Sequence, residues 1–533
     1  MSRPNLEAGD LLPLVRRLVG ATDPVALYAA LTEGGERPDT LLLESADAAT
    51  GHGERSVLLP RTMLRLECRG RDVRIIPLTP NGSTLGEWLA MELAGCADMR
   101  RDGAVFVAHF PPPPEGERDA RTRLTSAGPL DALRAVVLRP NLVSAPAALS
   151  HLAAGIFSYD LVDLFERLPE ARADALDFPD FVFWVPEQIV LLDHVHRSTT
   201  IVAQVVGGAN AEASYHDAVR AIESLSRSVE SGAPAGSPAI GARVERASGR
   251  GGAPTVDLDD AAYAALVTRL QGHVVAGDVF QVVPSRTFST PCDDPFASYV
   301  KLRGANPSPY MFFIRSPDAV LLGASPETAV HVNGDRRVTL RPIAGTAPRG
   351  RHADGAIDDE LDARLQAALV TDAKEVAEHM MLVDLARNDV ARVSRPGTRR
   401  VSQLLGVDRY QHVMHLVSEV EGELAEGLDP LHAYAASLNM GTLVGAPKIR
   451  AAELLREHEP SKRGPYGGAV GYLTHAGEMD TAIVIRSAYV AGGVAHVRAG
   501  AGVVLDSDPA SEAAESARKA ASVLEAIVMT EAS

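Results

Sequence analysis

"QIVLLDHVHRSTTIVAQVV" (residues 188–206) leads within four residues into "AEASYHDAVRAIESLSRSVE" (211–230), and the two stretches obey different rules. The first is apolar and β-branched with a polar break in its middle, as two strands joined by a turn require. The second spaces its apolar residues by three and four, as one face of a helix requires. A chain that changes period this abruptly mixes α and β. Working outward, "VRIIPL" (73–78) and "GAVFVAHF" (103–110) read as further strands. "DLDDAAYAALVTRLQGHVVAGD" (257–278) carries acids in its first turn and stops at a glycine, which predicts a helix, and "VFQVVPSRTF" (279–288) follows as a strand. Similar alternation continues to residue 530. Between the halves lies "SGAPAGSPAIGARVERASGRGGAP" (231–254), too rich in Gly, Ala, Pro and Ser to carry a period, and it reads as a linker. The expected organisation is therefore an N-terminal region 1–230, a linker 231–254 and a C-terminal region 255–530.

The bulk numbers bound the function. At 533 residues, 46% apolar and 23% charged, the chain is long and ordinary enough to bury a large core. A net charge of -17 repels polyanions, so neither nucleic acid nor an anionic membrane is expected as a partner, while a small anion remains admissible where a few cations converge. Cys68, Cys96 and Cys292 form no disulfide framework or zinc spacing. No signal-like segment opens the chain, and no stretch approaches the ~18 apolar residues of a membrane span. The expectation is a cytoplasmic protein.

Several motifs carry chemistry. In "TDAKEVAEHMMLVDLARNDVARV" (371–393) Glu375 and Glu378 fall on one helix face. "DPASEAAESARKAASVL" (508–524) repeats the device with Glu512 and Glu515, followed one turn later by Lys519. Two such faces can share one hard divalent cation, although the same spacing also describes an ordinary solvated helix face. "LRPIAGTAPRG" (340–350) combines two Pro and two Gly with cations, which predicts an irregular turn with exposed amides around the small apolar Ala344. His415 in "HVMHLVSEV" (412–420) is either a core histidine or a proton carrier. "RGPYGGAVGY" (463–472) and "RAGAGVVLDSDP" (498–509) are glycine-rich loops lacking the order of a dinucleotide site, and "GTLVGAPK" (441–448) departs from a nucleotide-binding loop.

Taken in order, "LLLESAD" (41–47), "GIFSYDLVDLFERLP" (155–169), "AGDVFQVVPSR" (276–286), "NPSPYMFFI" (306–314), "GASPET" (323–328), "RPIAGTAPRG", "EHMMLVDLARND", "HVMHLVSEV", "NMGTLVGAPKIRA", "RGPYGGAVGY", "DTAIVIRSA" and "GAGVVLDSDP" closely resemble the chorismate-utilising enzymes, and among them component I of the anthranilate synthases, in wording most like the enteric subgroup. The resemblance spares mainly the linker and residues 48–150. It implies an α+β fold of two packed mixed or antiparallel β-sheets flanked by helices, a four-layer αββα arrangement.

The resemblance also implies roles. Chorismate would be aminated with ammonia and lose pyruvate to give anthranilate, the first step of tryptophan biosynthesis, with Mg2+ held by Glu378 and Glu515 and with Glu375 and Glu512 behind them. Arg486, Tyr466 and the amides of Gly500, Ala501 and Gly502 would hold a substrate carboxylate, and Lys519 would offset charge near the metal. Gly345, Thr346 and Thr442 would line the pocket, with His415 near the reacting ring. Ala344 stands where related aminodeoxychorismate synthases carry a nucleophilic lysine, and Gln281 where isochorismate synthases carry a lysine base; neither replacement can do that work. Those two activities, and a non-catalytic tryptophan-sensing paralogue, are the alternatives. No cysteine sits in a glutaminase motif, so ammonia is expected from a separate glutamine amidotransferase subunit, two copies of each subunit assembling together. Feedback by L-tryptophan would act through Ser45, Pro309, Tyr310 and Met311, and Arg55 replaces a lysine of the enteric subgroup.

Overall fold

Strands Thr40–Glu44, Arg55–Arg69 and Tyr310–Arg315 pair side by side in antiparallel register, and each sends alternate residues to opposite faces, as the two-residue repeat of a strand demands. Leu42, Leu58 and Phe313 join a core shared with helices Pro24–Leu31, Pro295–Ala305 and Pro509–Leu524. Leu41, Leu43, Leu59, Phe312 and Ile314 face the other way, into a core built almost wholly of strand residues, where they meet Ala154, Ile156, Trp184, Val470 and Ala482. The partners of that second set, Ala153, Phe157, Phe183 and Ala469, face a third core under helices Pro80–Leu93, Leu130–Leu138, Ala373–Val393 and Pro430–Ser437. Reading through the molecule gives helix, sheet, sheet, helix, the four-layer α+β arrangement.

The computed structural model describes residues 6–20, 22–45, 55–113, 120–144, 149–231, 253–410 and 413–527. Nearly all of the expected linker, 232–252, and His412 lie outside them. The described strands form one hydrogen-bonded network of 23 and a separate two-stranded ribbon. The halves are continuous because long strands such as Arg55–Arg69 pass from one ladder to the next through register shifts. Chain on both sides of the linker enters this network: Thr40–Glu44 pairs with Tyr310–Arg315, and Leu152–Phe157 with Ala469–Thr474.

The expected strands and helices form at 72–77, 105–109, 181–193, 198–206, 211–230 and 260–275. Two readings change. "VFQVVPSRTF" is broken by Pro284, which has no N–H for a ladder. Gln281–Val282 pairs with Gly445–Ala446 in the small ribbon, and Ser285–Pro291 enters the main network. The "LRPIAGTAPRG" stretch is likewise a strand, Ile343–Pro348, on Val413–Glu423, with the register slipping between Ile343 and Thr346. Gly345 at φ 86 takes the left-handed conformation the bulge needs, so one irregular step suffices where a whole turn was expected.

Candidate active site

Two helices aim their N-terminal turns at one cavity. Asp372 caps Ala373–Val393 by accepting from the Lys374 and Glu375 amides, and Asp508 caps Pro509–Leu524 by accepting from the Ser511 amide. These caps fix where each helix begins, and the helical repeat then places Glu375 and Glu378, and Glu512 and Glu515, in the first two turns. All four glutamates line a cavity of about 400 Å3. Burial raises the Glu378 carboxyl above its ordinary range; Lys374 works against the shift, while Glu375, Glu512 and Glu515 add to it. Glu512 is raised for the same first reason, with Glu515 contributing. Four acids from two helices more than 130 residues apart in sequence thus come together. Lys519 Nζ reaches Glu515 at 2.7 Å and the Gly500 carbonyl at 3.1 Å, and Lys374 Nζ lies 3.9 Å from Glu378.

Among the described residues no group of three or more His, Cys, Asp or Glu is arranged to enclose a metal unaided. The donor set nevertheless fits Mg2+, which takes one or two carboxylates and fills its remaining positions with water and substrate oxygens. Like-charged carboxylates that raise one another's pKa, offset here by two lysines, are what a divalent cation relieves.

Opposing charge comes from Arg486, at φ 49 and so held in a left-handed conformation uncommon for a side chain of its size. Burial lowers its pKa, Tyr466 and Glu515 acting only as partial counterweights. Tyr466 lines the same cavity, its phenol pushed up by burial. Gly500 and Gly502 face inward from the glycine turn. Ala501 does not. Its amide donates to Tyr263 Oη at 3.1 Å and is also 3.3 Å from the Pro284 carbonyl, so alternation along the chain turns the middle residue away from the ligand space it was expected to line.

His415 pairs in register with Thr346, and its Nδ1 lies 2.9 Å from Thr346 Oγ1. Burial pulls its pKa down to about 4; a hydrogen bond to the Gly345 backbone resists and Arg486 assists. The ring is therefore neutral near pH 7, with one nitrogen a donor and the other an acceptor. The adjoining bulge is pinned to the acidic helix by His379, whose Nδ1 donates to the Ala344 carbonyl at 3.1 Å while Nε2 lies 2.7 Å from Ser418 Oγ. Gly345 touches the same helix: an added Cβ would stand 3.2 Å from Glu375 Oε2. Ala344 and Gln281 both line the cavity. Gln281 is 7% exposed, and its Oε1 has no hydrogen-bond partner.

Sequence reading overlooked Glu327. It follows Pro326 at the end of strand Ala319–Ser325, is buried at the cavity wall, and accepts from Thr442 Oγ1 at 3.0 Å. Burial pushes its carboxyl up to about 8, against the pull of Thr442 and Lys519. It is thus a neutral acid at pH 7, lining the same cavity as a neutral histidine. The available signal was an acidic residue between two apolar strands inside the quoted "GASPET". Lys374 was also missed.

A second cavity, about 490 Å3, contains Ser45, Arg55, Pro309, Tyr310 and Met311 together, so the residues grouped for tryptophan do meet. Tyr310 Oη donates to Asp480 Oδ1 at 3.0 Å and lies 3.0 Å from Thr328 Oγ1. The three cysteines are free, and burial is the first cause raising each thiol, Cys292 to about 11, so none is an activated nucleophile. No helix among the described residues is long and apolar enough to cross a membrane.

Comparison with known proteins agrees with this geometry. The family described as chorismate binding enzyme matches residues 114–525. Anthranilate synthase component 1, pyocyanine specific, of Pseudomonas aeruginosa is 49% identical over 95% of this chain and 93% of its own length. Anthranilate synthase component 1 of Vibrio cholerae is 46% identical over 95% and 94%. Among solved structures, anthranilate synthase component I from Streptococcus pneumoniae superimposes with a TM-score of 0.67 at 30% identity, covering 88% of this chain and 92% of that one.

Proposed function

The chain belongs to the chorismate-binding enzymes, alongside the anthranilate synthase component 1 proteins, and from that premise we propose that it converts chorismate and ammonia into anthranilate and pyruvate with Mg2+. The observation that carries the reading is the meeting of two acidic helix ends with Arg486 and Tyr466 in one cavity whose Ala344 and Gln281 supply neither an amine nor a base.

Chorismate is a dianion near neutral pH, and a site that holds it must neutralise two carboxylates. Glu378 and Glu515 would hold the magnesium, with Glu375 and Glu512 behind them, and when bound it would supply positive charge for the ring carboxylate. Arg486 and Tyr466 grip the other carboxylate and fix the ring's orientation, a charge-assisted contact in a partly dry pocket. Glu327, protonated, gives its proton to the departing hydroxyl, and Thr442 holds its carboxyl in place. Neutral His415, oriented by Thr346, takes up the proton released when the ring becomes aromatic. The Ala344 methyl leaves the ring carbon open to free ammonia, and the Gln281 amide cannot deprotonate water in its stead.

Because all three thiols are unactivated, ammonia comes from a separate glutaminase component, assembled two by two with this chain. The second cavity binds L-tryptophan and favours a state with weaker substrate binding, since an effector shifts states only by its differential affinity. Three free cysteines suit a reducing cytoplasm. The test is direct: purified chain, chorismate, ammonium and Mg2+ should yield anthranilate and pyruvate in equal amounts. Isochorismate in the absence of ammonium, or a product aminated at the carbon that bore the hydroxyl, would replace this reading by one of the two related activities.

A further inference from the structure

Behind the cavity wall that carries Tyr466 stands a buried cluster of charge to which the reaction outlined above gives no part. Glu459, Arg463 and Arg498 are 4%, 2% and 6% exposed, and side chains of these types are seldom so enclosed unless paired. Glu459 Oε1 accepts from the Ser285 amide at 2.8 Å, from Ser285 Oγ at 2.8 Å and from Arg463 Nη2 at 2.7 Å. Its Oε2 accepts from Arg463 Nε and Arg498 Nη2, both at 2.9 Å. Arg463 also donates to the Leu443 and Val283 carbonyls, at 2.6 and 2.7 Å, and its guanidinium lies 4.4 Å over the Tyr159 ring and 5.8 Å from the centre of the Tyr466 ring. Burial opposes the Glu459 charge, but the two guanidinium groups overcome it and hold the carboxyl below its ordinary range. All three groups are charged.

Two arginines against one glutamate leave one positive charge in excess, in a place where water does little to screen it. Asp160, which accepts from the Gly464 amide beside Arg463, does not cancel it: Asp160 has Arg456 as its own partner at 2.9 Å, shared with the exposed Asp163. The excess faces the ligand space, because Arg498 lines the catalytic cavity together with Tyr466 and Arg486. Arg498 has little else to offer there. Its Nε donates to Ser285 Oγ at 2.8 Å and its Nη1 to the Lys462 carbonyl at 2.7 Å, with Ser461 Oγ and the Ser461 carbonyl at 3.5 Å completing the set, so it gives a ligand its field rather than a hydrogen bond. We propose that the Arg463, Glu459 and Arg498 cluster is the electrostatic backing of the site, its unmatched positive charge setting the preference for a substrate with a second carboxylate beyond the one on the ring, an inference that rests on the function proposed above.

The experiment uses the full chain with ammonium and Mg2+. It measures KM for chorismate and inhibition by two compounds: benzoate, with the ring carboxylate alone, and a benzoate bearing an ether-linked enolpyruvyl group, with both. Arg498→Gln should raise KM and weaken the dicarboxylate on the order of tenfold, the weight of one unit charge several Å away in a partly dry site, while benzoate stays within about twofold and kcat falls less than about threefold. Arg498→Lys keeps the charge and loses the planar fork, and should return KM to within about threefold of the parent. Ser461→Asp, at a half-buried position 3.5 Å from Arg498 Nη1, keeps the arginine and cancels its charge. It should reproduce the same split at about threefold, and it decides the question if thermal denaturation shows that Arg498→Gln does not fold. A cluster that only braced the wall would be indifferent to charge. Three results therefore overturn the proposal: KM within about twofold of the parent in both Arg498→Gln and Ser461→Asp; benzoate weakened as much as the dicarboxylate; or Arg498→Lys as impaired as Arg498→Gln. If the unaltered chain makes no anthranilate from ammonium, it is the function reading that has failed, and calorimetry of the two benzoates still tests the cluster.

Discussion

The two cavities of this molecule are similar in size and unlike in construction. The catalytic one, about 400 Å3, takes its charge from two helix ends, where a repeat of three residues stacks carboxylates on one face. The other, about 490 Å3, is assembled from strand edges and turns, with Ser45 and Arg55 on one ladder and Pro309 to Met311 on another. Charge placed by a helix is regular and dense, the arrangement a divalent cation would need. Residues collected from several strands give instead a mixed surface of apolar walls and isolated polar groups, suited to recognising one shape. Yet the cavities share a wall one peptide thick: Thr328 lies against Tyr310 in the second while Glu327 holds Thr442 in the first.

The sharpest way to separate them is to remove the acids. Glu378→Ala and Glu515→Ala should each lower ammonium-driven turnover by at least ~10^3-fold, the several kcal/mol a metal contributes to charge stabilisation. Tryptophan binding, followed by calorimetry, should survive in both. Normal turnover in either variant would remove the metal assignment.

Glu327→Gln tests the shared wall from the catalytic side. Loss of a positioned proton donor should cost about a hundredfold in kcat. The sign of the pH effect follows from its raised pKa: the active form is protonated, so the parent's rate should fall as pH rises through about 8. The glutamine variant should lack that alkaline limb, and a limb that persists would mean the group titrating there is another one.

From the second cavity, Ser45→Ala should weaken tryptophan inhibition by about tenfold, close to the ~1.4 kcal/mol of one lost hydrogen bond, while the uninhibited rate stays within twofold. An unchanged inhibition constant would show that tryptophan does not sit against Ser45. The Pseudomonas relative is named for pyocyanine, so the same assay tells whether this chain answers to tryptophan.

The comparison also explains what was legible in advance. The helices at 211–230 and 373–393 announce themselves because a buried stripe forces a period, and the paired glutamates follow from that period without any structure. The bulge at Ala344–Gly345 was not legible: two prolines and two glycines in eleven residues suggest a loop, and only pairing with Val413–Glu423 makes them a strand. Glu327 was hidden for a different reason. Its chemistry depends on burial, and burial at the end of a strand is decided by the fold around it rather than by any local spacing. The turn of Ala501 away from the cavity depends on Tyr263, two hundred and more residues earlier. The second cavity was readable only through resemblance, since no spacing rule relates Ser45 to Tyr310.

The smallest expected effect is thermodynamic, and it asks whether the acidic face is built for a cation at all. Glu378 and Glu512 have carboxyls raised by folding. A group whose folded pKa lies above its unfolded value contributes stability while protonated, below the unfolded pKa, and loses it as pH rises through the folded value. The apo chain should therefore be penalised above the ordinary carboxylate range, where these groups are forced to ionise side by side. Magnesium removes that penalty only when the carboxylates are free of protons. Thermal denaturation with and without Mg2+ should show a smaller shift near pH 5 than near pH 8, where it should be a rise of a few degrees, with binding contributing about 2.7 kcal/mol at a hundredfold excess over Kd. The shift should vanish in Glu378→Gln, and the tryptophan-induced shift should remain. An Mg2+ effect equal at both pH values, or one that survives Glu378→Gln, would place the cation somewhere other than between these two helices.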